Sequence, residues 1–195
     1  MLLRTIICLL AGWAFPAHTA VLLDLNYPFL ENLLAREVFT EDGKRYVKGS
    51  KDTKCSFAYL AKPSISMLDG RLSVKARFTG RSALDVFGRC LGLGDDFDLR
   101  FTAVPYFANG KLKFKDVRID TLGKDSYYIR RVRRTLEQSL AKDIGYPVED
   151  QARKLLEQQR PDALWKQKLH DFQVSAVEVT PAALRLQVDF RLSLD

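Results

Sequence analysis

Few side chains in this sequence are suited to acid–base or nucleophilic chemistry. His170 is the only histidine beyond residue 20, and it stands next to Asp171. No serine lies in the G-x-S-x-G pattern that exposes a nucleophile on a sharp turn. We therefore interpret His170 as a helix-end residue near the carbonyl pole rather than a catalytic base. The sequence favours a protein that is not an enzyme, and it implies no cofactor and no metal site.

Three acidic residues in LGLGDDFD, residues 91–98, raise the question of a Ca²⁺ loop. Asp95, Asp96 and Asp98 lack the ligand spacing and the late glutamate of an EF-hand. The glycines of FGRCLGLG likewise miss the phosphate-binding pattern, since no basic residue and no well-placed helix follows them. We predict turn and bulge glycines here, and a solvated turn that leads into a strand at Phe97.

The densest positive charge lies in YYIRRVRR, residues 127–134. On a helix, Arg130, Arg133 and Arg134 cluster together, and the flanking tyrosines suit the level of lipid headgroups. A basic amphipathic helix of this kind favours an anionic membrane surface or a lipid phosphate. The alternative is an ordinary solvated helix face. Nucleic acid is disfavoured because the charge is spread thinly along an exported chain.

The N-terminus and the cysteines both indicate export. Residues 1–20, MLLRTIICLLAGWAFPAHTA, have the features of a secretory signal peptide, with cleavage expected after Ala20. The apolar run is shorter than a membrane span, which is the alternative. In the periplasm or outside the cell, the two remaining cysteines, Cys55 and Cys90, are expected to form a disulfide. Two buried thiols are the other interpretation. Residues 21–195 then form one domain.

Local patterns predict the elements that position these residues. A helix capped by Asn26 continues to Val38, and the polar residues 40–54 form a loop or a weak hairpin. Residues 55–122 alternate as antiparallel strands, with tight turns at Asp69-Gly70 and Asn109-Gly110 and a bulge near Lys115.

After Gly123 the apolar period changes from two to 3.6, which predicts a helix ending before Gly145. A second helix from about Val148 is expected to break at Pro161. The chain closes with a hairpin whose last strand, residues 183–195, alternates strictly between apolar and polar residues. Its apolar set is Leu184, Leu186, Val188, Phe190, Leu192 and Leu194.

These elements predict an α+β fold in which an antiparallel, strongly curved β-sheet wraps around a long amphipathic helix. The segments PSISMLDGRLSVKARFTG, AVPYFANGKLKFKDVRIDTL and FQVSAVEVTPAALRLQVDFRLSL give the chain a pattern that resembles the tubular lipid-binding (TULIP) superfamily. That superfamily includes the fold of bactericidal/permeability-increasing protein and synaptotagmin-like lipid-transfer domains. Small bacterial envelope proteins of this shape resemble the chain most.

The resemblance implies an apolar groove for acyl chains beneath the long helix. The residues expected to line it are Leu72, Val74, Phe78, Leu99, Phe101, Leu112, Phe114, Ile129, Val132, Leu136, Leu140, Leu186, Val188 and Phe190. The hypothesis is an exported protein that sequesters lipid or another apolar ligand and carries it between envelope sites. The alternative is a non-enzymatic envelope structural or assembly protein with a filled core and a protein-binding surface. Either arrangement is compatible with a homodimer.

Overall fold

The computed structural model describes residues 20–123, 127–140, 145–157 and 166–194. Three features of the sequence lie outside these ranges: the predicted signal peptide except for its last residue, Ala20, the apolar residue Ile144, and the helix break predicted at Pro161. The described elements are β1 (Val21–Asn26), α1 (Tyr27–Glu37), β2 (Lys44–Lys48), β3 (Ser56–Leu68), β4 (Arg71–Val86), β5 (Arg89–Ala108), β6 (Lys111–Leu122), α2 (Tyr127–Leu140), β7 (Gly145–Tyr146), α3 (Val148–Leu156), β8 (Gln167–Val179) and β9 (Ala183–Leu194).

Two antiparallel sheets make up most of the chain. The larger has the strand order β2-β3-β4-β5-β6-β7 and curls strongly into a half-barrel, and the smaller has the order β1-β9-β8. In the described part, every strand pairing is antiparallel. The predicted curved antiparallel sheet is therefore confirmed, with few helices around it.

Two of the turns follow the sequence prediction closely. Asp69-Gly70 and Asn109-Gly110 both adopt positive φ angles, between 50° and 73°. This is the backbone that a two-residue hairpin turn requires, and glycine adopts it without steric cost. The predicted bulge near Lys115 is also present, as a register shift opposite Thr102 and Val104.

The prediction for residues 91–98 is wrong. These residues form no turn, because β5 starts at Arg89 and pairs continuously with β4 as far as Val86. The turn lies earlier, at Phe87-Gly88, where both φ angles are positive. The glycines that suggested a turn are instead strand residues. Gly92 sits so close to β4 that a Cβ atom there would lie 2.3 Å from the carbonyl oxygen of Ser82.

The helices begin where the sequence predicts. The side chain of Asn26 accepts a hydrogen bond from the backbone N–H of Phe29 at 2.9 Å and caps α1. Phe29 itself is exposed and does not join the apolar side of that helix. α3 starts at Val148 as expected, although its Leu155 is exposed.

Residues 40–54 contain a short strand. β2 pairs with β3, and Glu41 bridges to Lys44, so the weak-hairpin interpretation of this polar segment is confirmed. β2 forms one edge of the larger sheet.

Candidate functional site

The buried part of the larger sheet lies on one face of the β4–β5 hairpin. Phe78 pairs with Phe97, and their ring centroids are 4.9 Å apart. Leu99 is completely buried two residues further along β5. Because side chains alternate across a strand, these residues share one face, which we call the inner face. The segment 72–78 of β4 with 97–103 of β5 is called the hairpin root.

Helix α2 contributes to covering the hairpin root. Its Ile129 and Leu136 are buried in the same cluster as Phe78 and Leu99, and Val132 packs against that cluster. Four residues expected to line a groove are thus buried in one cluster, and two more, Val132 and Phe101, pack against it. Three apolar residues of α2 at helical spacing, Ile129, Val132 and Leu136, thus contact the core of the sheet.

Other residues of the predicted groove lie in a second cluster. Leu112, Leu186 and Val188 are buried there together with Leu184, and Phe114 packs against them. Leu72 is buried and Val74 half-buried on β4, outside both buried clusters. The expected lining set is therefore divided between two clusters, with Leu72 and Val74 in neither of them. The side chain of Leu140 lies outside the described residues.

The last strand is less covered than its alternation suggested. Leu184, Leu186 and Val188 are buried, whereas Phe190 is 38% exposed and Leu192 is also exposed. The pairing of the neighbouring strand β8 with β9 shifts twice, between His170 and Gln173 and between Val174 and Ala176. A strict period of two in β9 therefore meets an irregular partner.

His170 belongs to β8 and not to a helix end, so that prediction is wrong. β8 begins at Gln167, and its Leu169 is buried and pairs with Leu192. The Nε2 atom of His170 lies 2.9 Å from the Oγ atom of Ser193, and the neighbouring Asp171 forms an ion pair with Arg191 at 2.7 Å. These contacts join two adjacent strands.

The largest departure from expectation is the distal part of the β4–β5 hairpin, residues 81–95, which we call the arm. Its inner face continues that of the hairpin root through the pairs Ser82–Leu93, Leu84–Leu91 and Val86–Arg89. Leu84 is 75% exposed and Leu93 73% exposed. The four residues Leu84, Val86, Leu91 and Leu93 form the apolar arm face. The inner face is thus buried at the root and open to water on the arm.

The tip of the arm is also apolar. Phe87 is completely exposed, with a φ of 52°, and Gly88 follows with a φ of 77°. The carboxylate of Asp85 accepts a hydrogen bond from the backbone N–H of Gly88 at 2.8 Å and fixes the turn. Asparagine, aspartate and glycine are the residues that such a turn favours, so the turn does not require a phenyl ring.

A disulfide joins Cys55 to Cys90, as predicted, with Cα atoms 5.1 Å apart. Cys90 pairs with Asp85 on the face opposite Leu84 and Leu91, so the bond fastens the arm through its outer face. It closes a loop over a sequence separation of 35 residues and fits an oxidising compartment.

Two of the three acidic residues of β5, Asp96 and Asp98, are paired on that outer face. Arg77 binds Asp96 through two hydrogen bonds at 2.6 and 2.9 Å and Asp98 at 3.1 Å. The hydrogen bonds that Arg77 donates, to Asp96 first and then to Asp98, raise the pKa of its guanidinium. Across the described ranges no group of three or more His, Cys, Asp or Glu side chains is arranged to hold a metal ion.

The arginines of α2 are placed on the wetter side of the helix. Arg130 and Arg134 are exposed and Arg133 is half-buried, while Ile129 and Leu136 face the core. The predicted basic cluster is therefore consistent with the helix periodicity. The side chains of Tyr127 and Tyr128 lie outside the described residues.

The apolar arm face was missed by sequence reasoning, although a signal for it exists. Leu84 and Val86 stand two residues apart, as do Leu91 and Leu93, and the intervals match an extended ribbon. The glycines and adjacent aspartates between Leu91 and Phe97 suggested a break in the strand.

No family model matches the chain, and no curated protein and no solved structure matches it. Within the described residues, none of the helices is both long enough and apolar enough to cross a membrane.

Proposed function

We propose that this chain is an exported lipid-binding protein and that acyl chains lie on the apolar arm face. The observation that carries the proposal is the inner face itself, which is buried at Phe78 and Leu99 and uncovered at Leu84 and Leu93. Exposed apolar surface that continues a core is an unusual feature of a soluble monomer and marks a binding surface. A lipid tail is a ligand of matching chemistry.

The energetic scale supports such a ligand. Transfer of apolar surface from water is worth roughly 25 cal/mol per Å², so covering about 400 Å² of acyl chain supplies roughly 10 kcal/mol before association costs. No catalytic group or metal is needed for this step. Binding is therefore expected to depend on the shape and apolarity of the arm face.

The other parts of the proposal concern the fold, the export of the protein and its attachment to a membrane. The half-barrel would wrap around α2 in the manner of the tubular lipid-binding superfamily, and the signal peptide would deliver the protein to the periplasm or the outside of the cell. Arg130, Arg133 and Arg134 would hold the protein near anionic headgroups, an attachment that should weaken as salt rises because exposed charges are screened.

The test uses two leucines that are almost equally exposed. Leu84 on the arm is 75% exposed and Leu155 on α3 is 72% exposed. Titration with a fluorescent fatty acid should show that Leu84→Asp weakens binding at least tenfold, while Leu155→Asp leaves it unchanged. Organic extraction of the purified wild-type protein should release lipid detectable by mass spectrometry. Equal fatty-acid affinity in both variants would contradict the proposal.

A second candidate function is that of an envelope assembly protein that binds other proteins through the arm. The exposed tip at Phe87 favours this candidate, because aromatic side chains are enriched at protein interfaces. A purified protein that yields no lipid and binds no fatty acid would favour assembly over lipid binding.

A further inference from the structure

The inner face of β5 within the arm carries a self-complementary pattern. Arg89, Leu91, Leu93 and Asp95 alternate with outward residues, so they form one row on that face. The row has a positive charge at one end, a negative charge at the other and two leucines between them. Its centre is Gly92. Two copies of such a row match when they run in opposite directions.

The charges at the two ends of this row are exposed, and neither has an ion-pair partner in the part of the chain that the structure describes. Asp95 accepts a hydrogen bond from the backbone N–H of Asp96, at 2.8 Å. Neither Arg89 nor Asp95 forms an ion pair with any described residue, in contrast to Asp96 and Asp98, which bind Arg77 on the outer face. The inner-face charges are therefore available for a partner.

We propose that a second copy of this chain covers the apolar arm face when no lipid is bound. The two arms pack antiparallel around a two-fold axis at Gly92. Arg89 then faces Asp95 of the second copy, Leu91 faces Leu93, and Leu84 faces the small Ser82. A two-fold contact of this type uses the same patch on both subunits, which the symmetric row provides. The proposal adds a partner and a mode of regulation to the lipid site, and in that respect it rests on the proposed function.

The area of the patch indicates which size class of interface this contact belongs to. The exposed fractions of the four arm-face residues correspond to about 400 Å² of apolar surface in each copy, which is the size of the largest apolar patch on many monomers and is often functional. Two copies therefore bury about 800 Å² in total, below the roughly 1,200 Å² of stable complexes. The dimer is expected to be reversible, and a lipid that covers the same leucines should displace the second copy.

The experiment is sedimentation velocity on delipidated protein over about 1 to 100 μM, with charge reversals at the two ends of the row. Wild type should show a concentration-dependent dimer. Arg89→Asp alone or Asp95→Arg alone places like charges opposite each other and should weaken association at least tenfold. The double variant with both reversals restores the opposite charges and should recover wild-type association. Arg45→Asp, at an exposed position on β2, is the matched control and should dimerise normally.

Two results would overturn the proposal: a wild-type protein that stays monomeric at 100 μM, or a double variant that associates no better than the single variants. Circular dichroism of each variant verifies that the fold is retained. In a further experiment, sodium oleate is added below its critical micelle concentration, and it should convert the wild-type dimer to monomer. If the charge swap restores association but no oleate binds, the second copy stands and the lipid function fails. If oleate binds to a protein that never dimerises, the reverse holds.

Discussion

The hairpin root and the arm are two halves of the same pair of strands with opposite environments. Both place alternate apolar residues on the inner face, yet Leu99 in the root is completely buried and Leu84 on the arm is largely exposed. The root is covered by Ile129 and Leu136 of α2 and by Phe39 after α1. The alternation of a strand thus determines which residues share a face, while elements distant in sequence determine whether that face is dry. On the arm, the covering partner is what the lipid and second-copy proposals supply.

The largest expected effect comes from equal truncations in the two halves. Leu99→Ala removes a completely buried side chain and should lower the free energy of unfolding by about 3–5 kcal/mol. Leu84→Ala, on the same face of the arm, should change it by less than about 0.5 kcal/mol, because the side chain is already in water. Urea unfolding of dilute, delipidated protein measures both. Comparable losses would mean that the arm is covered in solution under these conditions.

The next effect concerns the bond that fastens the arm. A variant with both Cys55→Ala and Cys90→Ala should lose about 3 kcal/mol of stability, since the disulfide restricts the unfolded chain over a loop of this length. Limited trypsin digestion should accelerate at Arg81 and Arg89 on the arm, while cleavage at Arg100 in the root changes little. Non-reducing mass spectrometry of the wild type should find no alkylatable thiol among these two cysteines. Uniform acceleration at all three arginines would instead indicate global loosening.

Much of the fold follows from local chemistry. Asp69-Gly70 and Asn109-Gly110 produce their turns, and Asn26 caps α1, because each motif acts within a few residues of the chain. The disulfide followed from the even cysteine count and the expectation of export. These features need no knowledge of what packs against them.

The arm could not be predicted in the same way. The Phe87-Gly88 turn lacks the asparagine or aspartate that would have marked it, and Gly92 and Gly94 resemble loop residues although they lie in β5. The exposure of Phe190 depends on which elements pack over that end of β9, and the alternation of β9 alone does not specify them. The candidate site was therefore predicted as a lined groove, while the most accessible apolar face lies on the arm.

The smallest expected effect concerns solvent-exposed ion pairs, which stabilise a protein far less than the buried residues of the hairpin root. On the smaller sheet, Arg185 pairs with Asp24 across β9 and β1, with nitrogen–oxygen distances of 2.8 and 3.0 Å. The hydrogen bond from Arg185 holds the pKa of Asp24 below its ordinary value of 3.8. The carboxylate therefore stabilises the fold above that value, and this contribution is lost as the pH falls through the lowered pKa of the folded state. Asp24→Asn should have a slightly lower melting temperature than wild type at pH 7, and the two should converge towards pH 2. A difference that persists unchanged at low pH would show that packing between β1 and β9, and not the ion pair, is responsible.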